Sequence, residues 1–200
     1  MNQPKSIFKS IFIFSLIFAC SAVMYAQQVE PSYDISLQLV VGANETVQGR
    51  ELPADLADIG RQLKTRFAFS EFRLASTFFG RISNTGTFQY QSVANIFGKE
   101  SIPGTPTFLD WSLVDFRNIP AATGQTRFQA QALKFGAKVP VITGTHEENG
   151  KTSPSISYES IGLSLNKVGL PENVPTLIGT LTLPGTSGTI FLIMTVRSAD

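Results

Sequence analysis

His146 is the only histidine in the chain. With Glu147 and Glu148 beside it, it forms the cluster whose residue types best suit a metal ion or a general base. A zincin helix, which needs two histidines, cannot be built from one such chain. The trio could hold an ion weakly at an interface between molecules, but its setting reads as an exposed loop histidine among solvated acids. As a base it lacks a visible nucleophile, because Gly185, Thr186, Ser187 and Gly188 miss the Gly-x-Ser-x-Gly spacing of a nucleophile elbow. Asp110 and Asp115 stand five apart on one predicted strand and so point to opposite faces, a poor arrangement for paired acid and base. No glycine-rich phosphate cradle precedes a helix, since the predicted helix opens on Glu51, Leu52 and Pro53. Asn44, Glu45 and Thr46 fit a glycosylation sequon, a pattern short enough to arise by chance. The sequence therefore predicts no catalytic residue, no metal site and no cofactor.

The N-terminus has the tripartite look of an export signal over residues 1–26. Lys5 and Lys9 give a positive start, and Ile11 to Ala19 give an apolar middle. The apolar-to-small run from Ile11 to Ala26 holds 16 residues, short of the roughly 20 that a spanning helix needs. Cleavage between Ala22 and Ala26 is expected, with a short linker over 27–32 and one globular domain over 33–198. Cys20 could instead carry a lipid, but Phe18 departs from the small or branched residues of a lipoprotein signal. Cleavage after Ala22 or Ala26 would leave a mature chain without cysteine, which removes disulfides and thiol chemistry together. These features predict an exported protein, periplasmic or extracellular, with no transmembrane span after signal removal.

Removing Lys5 and Lys9 from 16 basic residues leaves 14 against 15 acidic ones, a formal charge of −1. A surface built for nucleic acid would carry a basic excess, so none is expected as a partner. Only 16% of residues are charged, while 42% are hydrophobic, which fits a β-rich chain with a real core.

The elements that would carry any site are mostly strands. Tyr33 to Val41 alternates, with Tyr33, Ile35, Leu37, Leu39 and Val41 on one face and Asp34, Ser36 and Gln38 on the other. A helix follows Pro53, its apolar stripe formed by Leu56, Ile59, Leu63 and Phe67. Asp55 and Asp58 near its start, and Arg61, Lys64 and Arg66 near its end, complement the helix dipole. Alternation returns over Phe67 to Phe79, with Phe72, Leu74 and Phe78 on one side. Strands are then predicted near 87–93, 107–117, 127–141, 156–165 and 175–183, punctuated by turn residues. In 107–117, Leu109, Trp111 and Leu113 share one face and Val114 and Phe116 the other. The apolar set slips by one residue near Ala132 and Leu133, as at a bulge or a break between two strands, and again near Ser160 and Ile161. Thr143 to Pro154 is the most polar loop. The prediction is an α+β, β-rich fold of about eight mostly antiparallel strands, as a sandwich or strongly curved sheet, with one amphipathic helix after the first strand.

Gly188 to Arg197 is apolar on both faces and is the predicted central strand. It should pair with Pro175 to Leu183 and lie beside Tyr33 to Val41. One face should meet Leu56, Ile59 and Leu63, and the other should meet further strands or a partner. A transmembrane barrel would instead show a polar lumen on one face of this strand.

Phe67, Phe69, Phe72, Phe78, Phe79, Phe88, Tyr90 and Phe97 crowd a short part of the chain. Packing in the core accounts for them most simply, but Phe72, Phe78, Phe79, Phe88, Tyr90 and Trp111 are also the candidate lining of an apolar cavity or partner surface.

Leu177, Ile178 and Gly179, followed by the strand Phe191 to Val196, resemble the end of the β-domain of bacterial outer-membrane secretins, where a Val-Leu-Gly-like motif precedes an apolar terminal strand. The paired glycines and closing proline usual there are missing, and the resemblance covers only this C-terminal segment. A small exported bacterial protein built from related β segments fits it best. The expected function is that of a non-catalytic module for protein interaction, self-association or envelope assembly. The alternative is a carrier of an apolar small molecule or lipid.

Overall fold

The C-terminal strand lies inside a sheet because neither of its faces can meet water. Residues Ile190 to Val196 are all buried. The computed structural model describes residues 30–44, 49–94, 105–120, 126–148, 150–182 and 188–199, and Pro31–Asp200 forms one compact unit. The signal segment, the linker up to residue 29, Phe97 and Gly185 to Ser187 lie outside the described residues. Eight strands are present: β1 (Ser32–Ala43), β2 (Glu71–Ser83), β3 (Phe88–Ala94), β4 (Thr107–Pro120), β5 (Thr126–Glu148), β6 (Lys151–Pro171), β7 (Thr176–Thr182) and β8 (Thr189–Ser198). One α-helix, α1 (Ala57–Arg66), follows β1 after a 3-10 turn at Ala54–Leu56.

The strands form two open, fully antiparallel sheets. Sheet A has the order β2-β1-β8-β7 and sheet B the order β3-β4-β5-β6. β8 pairs with β7 and β1, as its two apolar faces require. Tyr33, Ile35, Leu37, Ile190, Leu192 and Met194 of sheet A meet Leu109, Trp111, Leu113, Phe116, Phe128 and Phe135 of sheet B in one buried core. Burial of this kind contributes roughly 25 cal/mol per Å² of apolar surface removed from water. On the other side of sheet A, Val40, Phe191 and Ile193 meet Leu56, Ile59 and Leu63. The layers are therefore helix, sheet A, sheet B.

The helix is shorter than its apolar stripe. Leu56 sits in the 3-10 turn, and Phe67 is the extended C-cap residue, whose ring still reaches Phe191 with centroids 4.7 Å apart. Asp58 in the first turn and Lys64 and Arg66 in the last match the dipole. Arg61 does not belong with them, since it pairs with Asp58 one turn away.

Four expectations from alternation are corrected. Phe72 and Leu74 do not share a face with Phe78. A bulge sets Leu39 opposite Ser76 but Val40 opposite Leu74, so Ala75 is extra and the strand exchanges faces there. Phe72 consequently faces the helix side and Phe78 the core between the sheets. Phe116 does not lie on the outer side with Val114. It is fully buried in the core, because Asp115 between them takes a left-handed conformation at φ 50°.

The slip near Ala132 and Leu133 is neither a bulge nor a break between strands. β5 is continuous, and its register with β4 is the same before and after the slip. Asp115, Gln131 and Lys167 stand at one level across β4, β5 and β6, and Lys167 is also left-handed at φ 55°. The buried positions change parity together on the two inner strands, from Leu113 to Phe116 and from Ala130 to Leu133. The register likewise runs unbroken through Ser160 and Ile161; the β5/β6 shift falls at Ile142/Gly144.

The predicted polar loop Thr143 to Pro154 is mostly strand. Glu148 pairs with Lys151, and pairing continues to Ile142 opposite Ile156. The last residue of β5 that pairs with β4 is Lys138, opposite Phe108. Beyond it the hairpin is two-stranded, and Ile142 to Glu147 are exposed without interruption. At ~3.4 Å per residue, the exposed arm over Ile142 to Glu147 extends roughly 20 Å.

Candidate functional site

The six aromatic residues singled out by sequence do not form one site. Trp111, Phe88, Tyr90 and Phe78 come together between the sheets, with Phe88 and Trp111 centroids 4.7 Å apart and Phe78 and Tyr90 5.2 Å apart. Gly80 makes this possible, because a Cβ there would lie 2.3 Å from the Phe88 ring. Phe72 belongs to the helix-side cluster with Phe69 and Phe191. Phe79 stands apart on the outer face of sheet A, 75% exposed. Trp111 Nε1 is buried without an acceptor among the described residues.

Of the residues with chemical potential, His146 lies on the arm opposite Ser153, and no group of three His, Cys, Asp or Glu suited to a metal occurs among the described residues. Asp115 accepts a hydrogen bond from Arg117 Nε at 2.7 Å. Asn44 Oδ1 accepts from the Ser70 backbone N–H at 3.0 Å, while Glu45 and Thr46 lie outside the described residues.

Two surfaces that the sequence did not point to are better defined. The first is on the outer face of sheet A, beside the start of the helical segment at Asp55. Register places Arg81, Asp34 and Arg197 in one row across β2, β1 and β8, and Phe79, Ser36 and Thr195 in the next. With Gln38 and Asp55 these line a cleft of about 560 Å³. Arg81 donates to Asp34 twice, Nε to Oδ1 at 2.7 Å and Nη2 to Oδ2 at 3.2 Å. Those bonds hold the Asp34 carboxyl below the usual carboxylate range. Arg197, at the same level, has no ion-pair partner among the described residues. Gln38 and Thr195 are 6% and 4% exposed, and Gln38 Oε1 and Thr195 Oγ1 have no hydrogen-bond partner among the described residues.

The second surface is the outer face of sheet B where the arm leaves it. Val93 pairs with Phe108, Pro140 with Tyr158 and Ile142 with Ile156. Val93 is 59% exposed, Phe108 43% and Tyr158 41%, with Ile142 and Ile156 exposed beside them. The rings of Phe108 and Tyr158 touch, centroids 5.7 Å apart. β6 forms the adjoining sheet edge, bonded only to β5 among the described strands.

No protein-family model and no curated protein matches the sequence. Among solved structures, the chain is similar to the Salmonella SPI-1 type III secretion injectisome secretin InvG (residues 176 to the end, open gate state), with 10% identity and a TM-score of 0.34. The alignment covers 93% of this chain and 65% of that one, so this chain spans less than two thirds of the secretin segment. The likeness is weak, as is that of the C-terminal residues to secretins, and it carries nothing about what this chain does. No helix among the described residues is long and apolar enough to cross a membrane.

Proposed function

We propose that this is an exported, non-catalytic module that works by associating with a protein of the bacterial cell envelope. Its contact surface is the outer face of sheet B at the base of the arm. The observation that carries this reading is the gathering of Val93, Phe108, Ile142, Ile156 and Tyr158 on one uncovered face. Single exposed apolar residues are ordinary on a folded protein, but a contiguous set beside a free strand edge is the composition of an interface core. Lys138 and Ser160, in the same row as Phe108, and Thr145 on β5 supply polar groups on that face. Export is supported by the N-terminal pattern of Lys5, Lys9 and the run from Ile11.

Affinity capture from cross-linked envelope fractions tests the reading. Wild-type protein should recover a partner that the double variant Phe108→Ser/Tyr158→Ser does not. Equal recovery by both proteins, or recovery of the monomer alone, would refute it.

A further inference from the structure

We infer that the cleft on the outer face of sheet A binds a saccharide, with a sugar ring seated on Phe79 and its hydroxyls read by the polar floor. The site lies on the face opposite the proposed partner surface and does not depend on it. Four observations converge. The cleft, about 560 Å³, lies within the roughly 300–1,000 Å³ of small-molecule sites. Its charges cancel, Asp34 and Asp55 against Arg81 and Arg197, so neither a polyanion nor a cation is favoured. Phe79 offers a bare ring, 75% exposed among polar neighbours, whose electron-rich face suits the weakly positive C–H edge of a pyranose. Gln38 Oε1 and Thr195 Oγ1 are unpartnered on residues that line the cleft.

Two residues that line the cleft each carry a buried polar atom without a partner, a costly arrangement that a hydrogen-bonding ligand relieves once the side chain turns toward it. The floor offers both donors and acceptors, because Thr195 and Ser36 can do either and Gln38 carries an amide. A sugar hydroxyl also donates and accepts, so it satisfies such a mixture where a carboxylate or an ammonium group would satisfy half of it. Arg81 is held by both Asp34 oxygens, which fixes that wall before any ligand arrives. Arg197, unpaired at the same level, can span two neighbouring hydroxyls with its fork.

Isothermal titration of the full protein with cellotriose, chitotriose and, as a comparison, triglycine tests this. At least one trisaccharide should bind saturably and triglycine should not. Phe79→Ala should weaken that binding about three- to tenfold and Arg197→Gln about tenfold or more. Both positions are exposed, so unchanged melting temperatures separate lost binding from lost folding. Phe79→Tyr should retain the affinity. No saturable trisaccharide binding, binding of triglycine instead, or trisaccharide binding untouched by Phe79→Ala would each overturn the assignment.

Discussion

The two outer faces of the sandwich solve the same problem in opposite ways. Sheet A buries Val40, Phe191 and Ile193 under Leu56, Ile59 and Leu63 of the helical segment, and beside the start of that segment its face turns polar. No helix among the described residues lies over the outer face of sheet B, yet it carries Val93, Phe108 and Tyr158 there. Sheet A is closed by the protein itself, and the proposed function has an envelope partner close sheet B.

The largest effect should come from breaking the covered face. Ile193 is fully buried beneath the helix, so Ile193→Asp places an unpaired charge there and should cost more than about 4 kcal/mol in urea unfolding. A variant of wild-type stability would mean that the helix does not seal this face. Leu63→Ala removes one side of the same contact and should cost about 2 to 5 kcal/mol. Between the sheets, Gly80→Ala drives a Cβ into the Phe88 ring and should cost about 1 to 3 kcal/mol. Phe88→Leu should relieve part of that penalty in a double-mutant cycle.

Acid provides a smaller perturbation. Hydrogen bonds from Ser198, with another from Thr126, hold Glu172 below the usual carboxylate range, as Arg81 holds Asp34. A depressed folded value contributes stability that is complete above the unfolded value of about 4 and fades as pH falls through the folded one. The melting temperature should therefore drop on acidification below about pH 4, and Glu172→Gln should make that drop shallower while leaving the high-pH limb flat. A slope unchanged by Glu172→Gln would exclude this latch between β8 and the residues after β6. On the open face, Tyr158→Ser should move stability by no more than about 0.5 kcal/mol, which is the clearest contrast with Ile193.

The parts legible in sequence were those set by local periodicity. The stripe of Leu56, Ile59 and Leu63 and the doubly apolar strand from Gly188 predicted the helix, its docking face and both neighbours of β8, and the turn signals predicted the β-rich antiparallel architecture. Alternation failed where a residue leaves the pleat. Nothing about Ala75 marks it as a bulge, and neither Asp115 nor Lys167 shows its left-handed backbone, so the faces of Phe72 and Phe116 were misread. The polar residues of Thr143 to Pro154 resembled a loop because a hairpin exposed on both sides has no apolar face to reveal it. The cleft was illegible for a different reason. Asp34 to Gln38, Phe79 to Arg81 and Thr195 to Arg197 are far apart in the chain, and only the register of three strands unites them.

Site-specific photo-cross-linking tests the contrast between the faces most directly. Phe108→p-benzoylphenylalanine places the reactive group on the open face of sheet B, and Arg61→p-benzoylphenylalanine places it on the exposed side of the helix that covers sheet A. Illumination of intact cells should give a discrete protein adduct from position 108 and none from position 61. Adducts of equal yield from both positions, or an adduct from position 61 alone, would contradict the assignment of sheet B as the partner surface.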